Sequence, residues 1–123
     1  MKKSLVVLCL FMFALSATAQ KKKRNAKALI EVDGVCMMCK KRIEKAALGM
    51  KGVKYAVWNV KTHELSVILD ERKTSVKAIK EKVAGVGHDT KEVKATDTVY
   101  ANLHPCCKYR NEEIRKDHEG EGK

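Results

Sequence analysis

The chain has 123 residues, five cysteines, one proline and a formal net charge of +11. This length suits one small domain with a single apolar core. The positive charge favours acidic protein partners or anionic lipid head groups. The sequence shows neither a Ser-His-Asp pattern nor paired carboxylates in a recognisable spacing, so it predicts a binding protein rather than an enzyme.

The N-terminus has the pattern of a secretory signal peptide. Lys2 and Lys3 precede an apolar run over residues 5–15, and small residues follow at 17–19. The run is too short to span a bilayer, and we expect cleavage directly after residue 19. Cys9 would leave with this segment, so the mature chain would keep four cysteines. The expected location is the periplasm, where paired thiols oxidise unless a metal or reductant intervenes.

Residues 20–26 (QKKKRNA) are basic and have no hydrophobic periodicity. A block of like charges of this kind is typical of a flexible, solvated segment. We therefore expect a leader ahead of the folded domain, with loose contact to an anionic membrane as the alternative.

Regular elements are expected over residues 27–95. An alternating pattern predicts a strand at 28–32, and apolar residues at helical spacing from Cys39 onwards predict a helix. Residues 53–69 have the pattern of a hairpin, Thr74 or Ser75 can cap a second helix, and residues 88–95 give a weaker strand. This order predicts an α+β, ferredoxin-like βαββαβ fold with a four-stranded antiparallel sheet and two helices on one face.

A C-terminal extension, residues 96–123, follows this domain. It contains the only proline and a second cysteine pair, Cys106 and Cys107. Residues 111–123 are charged and glycine-containing, and we expect them to be disordered.

The first cysteine pair has the spacing and position of a soft-metal clamp. Cys36 is expected in the loop after the first strand and Cys39 in the first turn of the helix, where the helix dipole favours a thiolate. Soft thiolates select Cu(I) above all, with Zn(II) also possible. The charges of Lys40, Lys41 and Arg42 would offset a negative thiolate complex, or they form a solvated helix face.

The segment DGVCMMC between a strand and a helix resembles the heavy-metal-associated domain family. The segment KGVKYAVWNVKTHELSVILD is similar to the family's Gly-Val…Ala…Asn…Val…Asp pattern, and the resemblance covers residues 28–95. The family includes copper chaperones, metal-binding domains of copper-transporting ATPases and periplasmic mercuric-ion binding proteins. The resemblance implies that Cys36 and Cys39 bind Cu(I), Zn(II) or Hg(II). It also implies that a monomer passes the ion to a metal transporter or acceptor protein, whose acidic surface would dock on Lys40, Lys41 and Arg42.

Two departures from the family pattern concern the surroundings of the metal loop. The family's Met-Thr before the first cysteine is replaced by Gly34 and Val35, so we expect the loop to be looser or differently supported. His88 takes the place of an aromatic residue that approaches the loop. It is a candidate third ligand or pH-dependent gate, although a simple loop histidine is the more ordinary interpretation.

The second cysteine pair allows two interpretations. Adjacent cysteines seldom bond to each other, so Cys106 and Cys107 would act together with the first pair. They either complete a three- or four-thiolate site, which His104 could join, or form disulfides with Cys36 and Cys39.

Two other function classes fit the sequence less well. A thioredoxin-like redox couple needs a proline that faces the cysteines, and no proline occurs between Cys39 and His104. An RNA-recognition module shares the element order, but Tyr55 and Trp58 have opposite parity on their strand and cannot stack bases on one face. Export also argues against a nucleic-acid partner. A redox or disulfide-stapled module therefore stays as the alternative to metal binding.

Overall fold

The computed structural model describes residues 20–120. The predicted signal peptide with Cys9, and residues 121–123, lie outside the described residues. Within residues 20–120, none of the helices is long and apolar enough to cross a membrane. The strands and helices in chain order are β1 (Ala26–Glu31), α1 (Met37–Leu48), β2 (Val53–Trp58), β3 (Glu64–Leu69), α2 (Val76–Gly85), α3 (Asp97–Ala101), a 3-10 turn (Pro105–Cys107) and α4 (Glu112–Gly120).

The sheet is antiparallel, with β3 at its centre between β1 and β2. Val67 of β3 pairs with Ala28 on one side and Ala56 on the other. Alternation along the strands directs one face into the core, where α1 and α2 cover it. The fully buried core side chains from these elements include Ile30, Ile43, Trp58, Leu65, Ile79 and Val83. As predicted, Trp58 faces the core while Tyr55 is exposed on the opposite face.

The predicted fourth strand over residues 88–95 is wrong for the described chain. Only an isolated antiparallel bridge joins Val32 to Thr90. Thr90 instead closes a turn: its N–H donates to the Val93 carbonyl at 2.8 Å, and its hydroxyl accepts from the Val93 N–H at 3.1 Å. These backbone groups are satisfied locally and do not continue a ladder beside β1.

Residues 112–120 form α4, so the prediction of disorder is wrong for this part of the tail. The Asn111 side chain accepts a hydrogen bond from the Glu113 N–H at 2.9 Å and satisfies a free donor of the first turn. Glu112 and Glu113 place negative charge near the positive end of the helix dipole. Ile114 packs against the core.

The two ends of the domain also show local contacts. The leader residue Lys23 donates its backbone N–H to the Glu71 carboxylate at 2.7 Å, so the leader is attached shortly before β1 begins. Ser75, one of the two predicted caps, accepts from the Ala78 N–H at the start of α2.

Candidate metal centre

The four cysteines of residues 20–120 are free thiols, and their sulfurs form a cluster in which those of Cys36, Cys106 and Cys107 all lie within 4.8 Å of one another. The Sγ of Cys36 lies 3.3 Å from that of Cys39 and 3.4 Å from that of Cys107. The Sγ atoms of Cys107 and Cys106 are 3.8 Å apart. We call Cys36, Cys39, Cys106 and Cys107 the thiol cluster. Two of its members come from the loop and helix after β1, and two come from the C-terminal extension. The two cysteine pairs therefore lie together in the structure.

Cys36 and Cys39 stand at the start of α1. Cys36 is the extended residue that precedes the helix, and its carbonyl accepts from the Lys40 N–H at 3.0 Å. Cys39 is buried in the first turn. The loop before them is supported by Trp58: a Cβ on Gly34 would lie 3.0 Å from the indole ring, whose N–H donates to the Val32 carbonyl at 3.0 Å. The tryptophan thus provides the support that the departure at Gly34 required.

Tyr109 holds the extension on the domain. It is 2% exposed, and its ring stacks on His88 at 5.5 Å between centroids. Its hydroxyl donates to the Gly87 carbonyl at 2.7 Å and accepts from the Asp89 N–H at 2.9 Å. This one side chain satisfies two backbone groups of the domain, two residues away from Cys107 in sequence.

Arg110 adds a charged anchor. Its guanidinium donates to both carboxylate oxygens of Asp89, at 3.0 and 2.8 Å, and to the Ala95 carbonyl at 2.8 Å. Burial raises the pKa of Asp89, but the Arg110 hydrogen bonds and a backbone hydrogen bond outweigh it and leave this pKa lowered. The fork-to-carboxylate geometry fixes the chain direction after Cys107.

The part of the thiol cluster at Cys106 has polar neighbours. The Cys106 Sγ lies 3.1 Å from the His104 Nδ1 and 3.5 Å from the Met38 Sδ. Met37 and Met38 are both exposed. His104 therefore contacts the second cysteine pair at its solvent-facing end.

The surroundings affect the four thiols differently. Burial is the main reason why the pKa of Cys39 is raised, and desolvation also raises the pKa of Cys106, to about 11. Burial acts in the same direction on Cys107, but hydrogen bonds from Arg42 and the neighbouring thiols lower its pKa overall. Cys107 is therefore the thiol of the extension whose surroundings favour a thiolate.

His88 lies beside the thiol cluster and is not part of it. Its Nδ1 is 2.8 Å from the Asp33 carbonyl, which can only accept, so this nitrogen carries the proton. Its Nε2, 3.4 Å from an Arg42 nitrogen, then acts as acceptor. Burial, together with the Arg42 charge, lowers the pKa of His88 to about 4 although the Asp33 carbonyl opposes the shift. The histidine positions Arg42 and Tyr109, and both ring nitrogens have protein partners.

The three basic residues predicted to dock a partner have different environments. Lys40 binds Glu44 and donates to the Trp58 carbonyl at 2.7 Å, so it supports the fold. Arg42 is half-buried and faces His88 and Cys107. Lys41 is exposed and available to a partner.

Sequence reasoning missed Asp89, Tyr109 and Arg110 as residues that build this site. Their contacts join positions about twenty residues apart, and neither hydrophobic periodicity nor a motif reports such pairs. The aromatic and basic residues directly after the second cysteine pair were the available signal.

The comparisons with known proteins concern the domain and stop short of the extension. The sequence model of the heavy-metal-associated domain matches residues 29–89. None of the curated proteins matches the chain significantly.

Several solved structures resemble the chain. A structure described as the CopZ metallochaperone is 29% identical over 53% of this chain and 98% of its own, with a TM-score of 0.51. The N-terminal domain of a potential copper-translocating P-type ATPase from Bacillus subtilis, in the Cu(I)-loaded state, is 31% identical over 55% of this chain and 85% of its own, with a TM-score of 0.52. A copper-binding domain from HMA7, a P-type ATPase, shares the fold at 24% identity, 53% and 89% coverage and a TM-score of 0.51. On this evidence of sequence and fold, the chain belongs to the heavy-metal-associated domain family.

Proposed function

We propose that this protein binds Cu(I) through Cys36 and Cys39 and passes it to a metal transporter or acceptor protein. The observation that carries the proposal is the pair of sulfurs 3.3 Å apart at the N-terminus of α1, within a heavy-metal-associated domain. Thiolates prefer soft ions, and backbone groups at the helix start stabilise their charge, although burial opposes this at Cys39. The similar structures whose descriptions name a metallochaperone and a Cu(I)-loaded domain support copper as the cargo.

Transfer would proceed by exchange of thiolates around the ion. An open cavity of about 730 Å³ reaches Cys36, and its lining also includes Met37, Met38 and Val60. A partner thiolate that enters there forms a new copper–sulfur bond as a bond to this protein breaks, and copper stays Cu(I) throughout. Lys41 is the exposed cation that would attract an acidic partner surface, and the protein acts as a monomeric binding protein rather than an enzyme.

The proposed location is the periplasm, after removal of residues 1–19. The mass of the mature protein recovered from the native host tests this: we expect a chain that begins at residue 20, whereas an intact Met1 would contradict export.

An anaerobic titration of the reduced protein with Cu(I) tests the metal site. We expect one tightly bound Cu(I) per chain, and loss of that binding in Cys36→Ser and Cys39→Ser. Titrations with Zn(II) and Hg(II) would establish whether these ions compete as cargo. Absence of Cu(I) binding in the reduced protein would refute the proposal.

Close thiols also favour one second function, a disulfide or redox role. The Cys36 sulfur lies 3.3 Å from that of Cys39 and 3.4 Å from that of Cys107, so small side-chain movements would bring either pair to bonding distance. Mass spectrometry of the protein isolated without reductant distinguishes the two, since a stable internal disulfide together with failure of the reduced form to bind Cu(I) would establish the redox alternative.

A further inference from the structure

The position of Cys107 is not explained by a metal site of two cysteines. It lies beyond residues 29–89, the part that matches the family, yet its sulfur is 3.4 Å from that of Cys36. The side chain is fully buried, although it belongs to a short 3-10 turn in the C-terminal extension. A buried thiol beside two others requires a specific placement, because an ordinary tail would leave it in solvent.

The extension is built to keep this placement. Leu103 packs against Gly87, where a Cβ would lie only 2.7 Å from the leucine side chain, so glycine is needed for the close approach. Lys108 donates to the carbonyls of Tyr100 and Ala101 at 2.9 and 2.6 Å, which closes the segment on itself. Together with the anchors at Tyr109 and Arg110, these contacts fix the chain on both sides of Cys107. Preorganisation of this kind lowers the entropy cost when a ligand binds an ion.

The charge around Cys107 suits a negative complex. Three thiolates around one Cu(I) leave a larger negative charge than two. The Arg42 guanidinium favours the charged form of the Cys107 thiol, and one of its nitrogens lies 3.4 Å from the Nε2 of His88. A fixed, half-buried cation next to the third sulfur would stabilise such a complex more than mobile surface lysines.

Cys106 is the less suitable of the two extension thiols. The sulfurs of Cys36, Cys106 and Cys107 all lie within 4.8 Å of one another, but Cys106 is only partly buried and is directed towards Met38 and His104, whereas Cys39 is fully buried with its sulfur 3.3 Å from that of Cys36. Cys107 lies nearer to Cys36, so the two cysteines of the extension occupy an inner and an outer position.

We propose that the extension supplies a third copper ligand, so that Cys36, Cys39 and Cys107 form a three-thiolate Cu(I) site and Cys106 stands outside it. This inference rests on the proposed function and adds a regulatory consequence for release. An incoming partner thiolate forms its bond to copper while the copper–Cys107 bond breaks, and undocking of the extension would therefore favour transfer.

Competition titrations between the reduced full chain and a chromophoric Cu(I) chelator test the site. Cys107→Ser should weaken Cu(I) binding by at least about tenfold, the lower end of what loss of an outer-shell partner costs a metal site. Cys106→Ser is the matched control, because it makes the same change in the adjacent residue, and it should keep affinity close to wild type.

A second variant separates ligation from folding. Tyr109→Ala keeps all four thiols but removes the anchor, and it should also weaken Cu(I) binding while circular dichroism shows an intact domain. Equal affinities of wild type and Cys107→Ser, or a larger loss in Cys106→Ser, would overturn the third-ligand assignment. If Cys36→Ser also kept its affinity, the proposed function itself would fail, so the two failures are distinguishable.

Discussion

Residues 26–85 and the C-terminal extension are stabilised by different interactions. In the domain, two helices bury apolar side chains against one face of a sheet, with Ile43, Trp58 and Leu65 fully buried between them. The extension has short helices and is attached by Leu103, Cys107, Tyr109 and the ion pair of Arg110. The domain stays folded when a single residue outside its core is changed. The extension is attached through few side chains, so one substitution can release it. The first cysteine pair is therefore a permanent feature of the fold, and the second depends on docking.

The largest effect is expected from Trp58→Ala. Truncation of a fully buried tryptophan should lower the free energy of unfolding by about 3–5 kcal/mol and remove the support beneath the metal loop. Urea unfolding measures this change. Tyr55→Ala, an exposed aromatic on the same strand, is the matched control and should change stability by only about 0.5 kcal/mol. Similar losses in both variants would contradict the distinction between core and surface.

Acid should weaken the junction between the two regions. The pKa of His88 is about 4 in the folded protein, below its ordinary value of 6.5, so the unfolded chain takes up this proton first as the pH falls. The contribution of His88 to the free energy of unfolding is fully present above pH 6.5. As the pH falls from there to about 4, this contribution decreases by up to about 1.4 kcal/mol per pH unit. Urea unfolding at several pH values should show a shallower pH dependence for His88→Gln. An unchanged slope would contradict the role of the buried neutral imidazole.

Tyr109→Phe should loosen the extension with a smaller effect on the domain. The change leaves the Gly87 carbonyl and the Asp89 N–H without their partner, which costs about 1–3 kcal/mol in a buried setting. We expect faster alkylation of Cys107 in the metal-free protein, measured by mass spectrometry of the digested chain. Tyr55→Phe should leave that rate unchanged, and an unaltered rate in Tyr109→Phe would show that other contacts hold the extension.

The smallest effect on the fold is expected from Lys41→Glu. An exposed side chain should change stability by no more than about 0.5 kcal/mol and leave Cu(I) affinity intact. Transfer to an acidic acceptor should be slower at low salt, with the difference shrinking as salt screens the charges. Lys51→Glu, in the exposed turn after α1, is the charge-matched control. Equal transfer rates for both variants would exclude Lys41 from docking.

The sequence was informative where local patterns determine structure. An alternating pattern predicted β1, a hairpin pattern predicted β2 and β3, helical spacing predicted α1 and α2, and the CxxC spacing predicted Cys36 and Cys39 as metal ligands. These signals are local because side-chain periodicity follows directly from backbone geometry.

The remaining features depend on long-range polar contacts. The fourth strand was predicted from little more than Val93 and Ala95, and a turn at Thr90 uses its backbone groups instead. Docking of the extension depends on Arg110 with Asp89 and on Tyr109 with Gly87, pairs that leave no periodic trace in a sequence. Helix α4 was not predicted because the tail is rich in charged residues and its cap at Asn111 is a single side-chain contact.

X-ray absorption at the copper edge tests most directly whether the two regions form one site. The reduced full chain, loaded with one Cu(I), should show three sulfur neighbours, and Cys107→Ser should show two at a shorter average copper–sulfur distance. Two sulfur neighbours in both proteins would contradict a ligand from the extension and leave a metal site made by Cys36 and Cys39 alone.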